Sequence, residues 1–192
     1  MVYRRYQGFK LTTLWVIIIA NILLFIATAI ATKLILLLGL EPAGLLARPW
    51  TLVTNLFIHS GLWHLIANMV TLYFFGSYLS MLIGEARFLI VYFLGGIIGN
   101  LFYLFLGPPY SIAIGASGAV FAIGGALAVM APKLRVYVLP IPAPFPLWAA
   151  VIGGFVIVSI LPNVAWQAHL GGLILGLTAG YFFRSRQRNM LL

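Results

Sequence analysis

The sequence predicts an all-α, polytopic membrane protein built from six transmembrane helices. Three observations carry this. Of 192 residues, 64% are hydrophobic and only 7% are charged, too apolar a balance for a soluble domain of this size. The apolar residues fall into uncharged runs that cross or nearly cross a bilayer, separated by charges, prolines and glycines. The basic residues are shared unevenly between the connecting segments.

Residues 11–32 form an uncharged run long enough for one crossing. Residues 33–62 scatter Lys33, Glu41, Pro42, Arg48 and Pro49 among short apolar pieces, which predicts a long, partly helical loop at the membrane interface. Residues 63–83 predict a second crossing, and Glu85 and Arg87 a hydrophilic turn. Residues 88–106 predict a third, stopped by Gly107-Pro108-Pro109, because proline cannot continue a helix. Residues 117–131 give a short fourth crossing ended by Pro132-Lys133, and a proline-rich link covers 140–146. Residues 147–161 give a fifth, closed by Pro162, and residues 167–183 a sixth, followed by Arg184, Arg186 and Arg188. Residues 1–192 are expected to form a single membrane domain, with no linker or internal repeat.

Six crossings put both termini on one side of the membrane. Arg4, Arg5, Lys10, Arg87, Lys133, Arg135, Arg184, Arg186 and Arg188 fall on that side, and only Lys33 and Arg48 on the other. This bias predicts a multi-pass protein of the cell membrane with both termini cytoplasmic. Anchoring accounts for the net charge of +9, so no nucleic acid partner is expected. No cleavable signal peptide is expected either: the run 11–32 can span and lacks a small-residue cleavage site. The tryptophans at 15, 50, 63, 148 and 166 suit the interfacial belts.

Composition excludes several chemistries. There is no cysteine, so disulfides, thiolate metal sites and a cysteine nucleophile are ruled out. Glu41 and Glu85 are the only carboxylate side chains, which rules out paired-carboxylate catalysis and removes the usual ligands of calcium and magnesium. The three histidines, at 59, 64 and 169, lie in no HExxH arrangement. No metal or cofactor is expected.

Helix geometry places the remaining polar residues at one depth. Ser117 lies 16 residues before Lys133, about 24 Å up the fourth helix at ~1.5 Å per residue. His169 lies 15 residues before Arg184, about 22 Å up the sixth. Asn68 lies 17 residues before Glu85, about 26 Å up the second. His64 shares a helix face with Asn68, one turn above it. Polar groups at such depth are costly and mark function. Ser117 opens the fourth helix, where unpaired N–H groups and the positive end of the dipole favour a developing oxyanion. His169 can take the serine proton and return it to a leaving amine. No aspartate exists and neither glutamate is placed to reach His169, so a Ser-His dyad is expected rather than a triad. The Asn68 amide, the His64 imidazole and the Ser117 backbone N–H can bind the oxyanion, and Phe121, one turn below Ser117, can support the His169 ring.

These residues resemble the rhomboid family of intramembrane serine proteases over almost the whole chain. The resemblance rests on His59-x4-His64-x3-Asn68, Gly115-x-Ser117-Gly118, Ala168-His169 and Gly172-x3-Gly176, in this order and on these helices. It implies a six-helix rhomboid-like bundle of the minimal prokaryotic form, with Ser117 as nucleophile, His169 as base, and His64 and Asn68 in the oxyanion hole. It implies single-span transmembrane proteins as substrates, entering sideways from the lipid bilayer. Two departures stand out. Phe121 stands where the family often has tyrosine, and the outer-loop Trp-Arg pair is here Trp50-Thr51, so Arg48 is expected to anchor that loop instead. The short fifth helix, bounded by Pro146 and Pro162, is the expected gate, with Trp148 and Phe155 packing it against the second helix.

Blander readings compete. Gly95-Gly96, Gly124-Gly125 and Gly171-Gly172 are the kind of small-residue clusters that pack helices. His59 suits a structural hydrogen-bonding role. A transporter or channel would use the histidines as a metal or proton path, but lacks the intramembrane carboxylates such proteins commonly use. A client-binding pseudoprotease would share the fold, and the intact Ser117 and His169 speak against it.

Overall fold

The computed structural model describes residues 12–138, 141 and 143–189. Arg4, Arg5, Lys10, Leu11 and Pro140, on which parts of the sequence reading fall, lie outside the described residues.

Helix α1 spans Thr13–Ile30, ending two residues earlier than predicted. The chain breaks at Ala31, and Thr32 leads into a separate short helix, α2, Lys33–Leu38. The interfacial loop is partly helical, as expected, with 3-10 turns at Pro42–Gly44 and Asn55–Phe57 around α3, Thr51–Thr54. This loop is hooked onto the open end of α2. The carbonyls of Leu36, Leu37 and Leu38 accept hydrogen bonds from the Arg48 guanidinium, Trp50 Nε1 (2.9 Å) and Thr54 Oγ1 (2.8 Å). Arg48 also pairs with Glu41 at 2.6 Å. Side chains thus satisfy the terminal carbonyls that a helix leaves unpaired, and Arg48 is the anchor.

Helix α4 spans Leu62–Ile83, with a π-helical turn at Leu72–Gly76 that no local pattern announces. Gly84, at φ +84°, makes the sharp turn that a side chain would resist. Helix α5, Glu85–Leu106, begins three residues before the predicted 88, with its glutamate at the favourable N-terminal end. There Thr13 Oγ1 donates to Glu85 at 3.2 Å, tying the start of α1 to the start of α5. Helix α6 is Ser117–Met130, α7 is Leu147–Ser159, and α8 is Trp166–Asn189. Helix α8 runs beyond the predicted 183. Thr13–Ile30, Leu62–Ile83 and Glu85–Leu106 are long and apolar enough to cross a membrane, while Ser117–Met130 and Leu147–Ser159 are shorter apolar helices.

The proline-rich link holds a small ribbon that helical periodicity does not foresee. Strand β1, Arg135–Tyr137, pairs antiparallel with β2, Pro144–Pro146, and Leu147 N–H closes it onto Leu134 O at 2.7 Å. Two prolines fit such an edge because a ribbon strand has one side free of ladder bonds.

Helix α6 lies at the centre. Nearly every residue from Gly118 to Ala128 is buried, as befits a helix that is apolar all round. It meets α8 along glycines. A Cβ on Gly172, Gly176 or Gly180 would run into the backbone of Gly118, Ala122 or Ala126. On the other side, a Cβ on Gly95 of α5 would collide with Ala122. These glycines are the packing face expected of small residues in a membrane bundle. The seam also fixes the register of α8 on α6.

Candidate functional site

Ser117 is the first residue of α6, reached through an extended segment and a turn. Ala113 is bridged to Leu40 by two backbone hydrogen bonds (3.0 and 2.8 Å), and Gly115 N–H donates to Asn55 O at 2.9 Å. Gly115 has φ +127°, a conformation natural only to glycine. Its bare Cα is also needed for space, since a Cβ there would lie 2.8 Å from Cε1 and Nε2 of His64. Among the described residues no side chain caps α6, so its first N–H groups point outward unpaired by the helix.

His169 sits in the first turn of α8. The register that sets Gly172 on Gly118 carries His169, one turn earlier, up to Ser117. Ser117 Oγ and His169 Nε2 are 2.7 Å apart. His169 is only 6% exposed, and its Nδ1 has no hydrogen-bond partner among the described residues. What holds the imidazole is an aromatic face: Phe121 lies 4.8 Å from it, centroid to centroid, tilted by 37°. Phe155 of α7 meets Phe121 edge-on at 5.9 Å. The gate candidates therefore separate. Phe155 is linked through Phe121 to His169, whereas Trp148 is 53% exposed.

His64 faces Gly115, and its Nδ1 lies 3.1 Å from Ser60 Oγ. If Ser60 donates there, Nε2 carries the hydrogen and is a donor on the Gly115 side. Asn68 is buried, and one amide N–H donates to His64 O at 2.9 Å within its own helix. His59, just outside α4, packs edge-on to His64 at 4.9 Å. Burial pushes the His59 pKa down to about 3, with His64 adding to the fall. Among the described residues, no three His, Cys, Asp or Glu side chains converge to hold a metal ion. Glu41 is engaged with Arg48 and Glu85 with Thr13.

Two buried residues at the site carry no motif that marks them in the sequence. Asn55 and Asn100 are each 2% exposed, and both line a small cavity that Ser117 and Ala168 also line. The available signal was Asn100 itself, an amide within an uncharged apolar run.

A family model described as the Rhomboid domain matches residues 46–186. The chain belongs to the rhomboid family. It is 30% identical over 190 residues to the rhomboid protease GluP of Bacillus subtilis, covering 91% of this chain and 35% of the relative. It is 29% identical over 164 residues to the mitochondrial Rhomboid protein 1 of Saccharomyces cerevisiae, covering 73% of this chain and 45% of that one. It is 36% identical over 128 residues to the Inactive RHOMBOID-like protein 8 of Arabidopsis thaliana, covering 65% of this chain and 35% of that one. The chain spans less than half the length of each of these rhomboid relatives. Membership agrees with the observed architecture, a polytopic helical membrane protein.

Proposed function

We propose that the chain is an intramembrane serine endopeptidase that cleaves single-span transmembrane proteins near the outer membrane face. The observation that carries this reading is the 2.7 Å contact between Ser117 Oγ and a buried His169 Nε2 at the N-terminus of a helix. His169 Nε2 takes the hydroxyl proton as Oγ attacks the peptide carbonyl. The resulting oxyanion is met by the Ser117 backbone N–H, with His64 and Asn68 as side-chain donors. His169 then protonates the leaving amine, and water attacks the acyl-enzyme by the same route in reverse. The Phe121 face takes the orienting role that a carboxylate has in a triad. The protein crosses the membrane six times, with both termini cytoplasmic. Substrate enters from lipid beside α7, where Trp148 and Phe155 form the gate.

A fluorophosphonate probe tests this directly. Wild-type protein should be labelled, while Ser117→Ala and His169→Ala should each lose labelling and cleavage almost completely, because the pair acts as a unit. Labelling of Ser117→Ala at the wild-type rate would sink the assignment. A second reading, a client-binding pseudoprotease, is favoured by the relative named inactive. A folded wild-type protein that binds a transmembrane client but is never labelled would support it.

A further inference from the structure

We infer that Asn55 and Asn100 act together as a positioning clamp that sets the segment carrying Ser117. This rests on the proposed role of Ser117 as nucleophile. The two amides bond reciprocally: Asn55 Nδ2 donates to Asn100 Oδ1 at 3.0 Å, and Asn100 Nδ2 donates to Asn55 Oδ1 at 2.8 Å. Asn100 Nδ2 also donates to Leu52 O at 2.8 Å, and Asn55 Nδ2 reaches Ala113 O at 3.5 Å. Both residues are fully buried, where an unpaired amide is expensive. A reciprocal pair with an added backbone bond is therefore stiff, and it joins the interfacial loop to α5. The purpose of that stiffness lies in the backbone of Asn55. Its carbonyl accepts the Gly115 N–H at 2.9 Å, so the clamp determines where Gly115 sits. Gly115 in turn lies against the His64 ring and two residues before the nucleophile. The Leu40–Ala113 bridge holds the near end of the segment, leaving Asn55 as the hold nearest Ser117. Among the described residues, no hydrogen bond joins the clamp to Ser117 or His169. It acts through Gly115, and its loss displaces Ser117 Oγ and the His64 donor together.

The test uses Asn55→Ala, Asn100→Leu and the double variant in lipid nanodiscs. Three readouts are needed: the fluorophosphonate labelling rate per folded molecule, the melting temperature, and hydrogen exchange resolved over residues 112–118. Labelling well below the melting temperature should fall by roughly 10- to 100-fold in each single variant, the scale of a displacement near 1 Å. The double variant should be no slower than the worse single one, since both break one unit. Exchange at Gly115 should quicken while the α6–α8 seam keeps its protection. Asn100→Gln, which keeps both the amide donor and the acceptor on a longer arm, should fall between wild type and Asn100→Leu. It also serves where the leucine variant does not fold. Wild-type labelling rates in all variants, or unchanged exchange at Gly115, would overturn the clamp. A merely structural role would lower the melting temperature and leave both unchanged. If wild type itself is never labelled, the nucleophile reading fails, and exchange at Gly115 still decides whether the pair sets this segment.

Discussion

Replacing Gly172 by alanine tests how the active geometry is produced. The added Cβ would collide with Gly118 O and lie 2.8 Å from Gly118 C and 3.2 Å from its Cα. Two carbons reach their optimum at about 3.5 Å or more. Helix α8 must therefore retreat from α6 by at least roughly 0.7 Å to clear the carbon, and further to clear the oxygen, because the obstacle is backbone and cannot rotate away. His169 rides on α8 one turn above, and its 2.7 Å contact with Ser117 would lengthen to about 3.4 Å or more, outside the useful range of a hydrogen bond. Overpacking of this kind costs about 1–3 kcal/mol of stability. The loss of alignment should lower the labelling rate on the order of 10²-fold. Gly153→Ala is the matched control: no atom of the described residues lies within 4 Å of a Cβ there, and helix propensity predicts a gain of up to ~1 kcal/mol. The assay is the fluorophosphonate labelling rate per folded molecule, with thermal unfolding in parallel. If Gly172→Ala labels as fast as wild type, or Gly153→Ala is equally damaged, the seam does not position the Ser117–His169 pair.

Asn68→Ala should reduce cleavage on the order of 10²-fold if its remaining amide hydrogen reaches the oxyanion; an unchanged kcat would leave Asn68 as a structural residue tied to His64 O. Trp148→Ala should raise cleavage of a transmembrane substrate more than that of a short soluble peptide. Phe155→Ala should do so less cleanly, because it also removes the edge contact that supports Phe121 behind His169; equal effects of Trp148→Ala on both substrates would rule out the gate. His59 is held neutral in the fold, with a pKa of about 3 against 6.5 for the free side chain. The unfolded chain thus binds the extra proton first, so this contribution is complete above about pH 6.5 and is lost as pH falls toward 3. At pH 5 the loss should be about 2 kcal/mol, and His59→Gln should flatten the slope; identical pH dependence of unfolding in wild type and variant would remove His59 as its source.

Much of this protein is legible along one dimension. Apolar runs and their charged or proline ends mark the helices, because a bilayer imposes both length and composition. A constant rise per residue then gives each polar side chain a depth, which is why Ser117, His169 and Asn68 could be grouped before any contact was known. Ambiguity began where structure is not helical or where two breaks fall close together. The ribbon at Arg135–Tyr137 and Pro144–Pro146 depends on a pairing between distant residues. The split between α1 and α2 depends on a local bend within an apolar run.

Depth says nothing about which way a side chain points around its helix axis. Rotation and register come from packing, here from glycines of α8 seated on the backbone of α6. Only that seam brings His169 Nε2 to Ser117 Oγ and leaves its Nδ1 without a partner among the described residues. Only tertiary contact joins Asn55 to Asn100 across 45 residues, or gives Phe155 to Phe121. The sequence by itself determined the membrane class, the helices and the polar residues worth watching, since each follows from the solvent that the chain must meet. The arrangement of those residues into a site was decided by close packing, because hydrocarbon offers no polar partner and a buried amide or imidazole must find its partners within the protein.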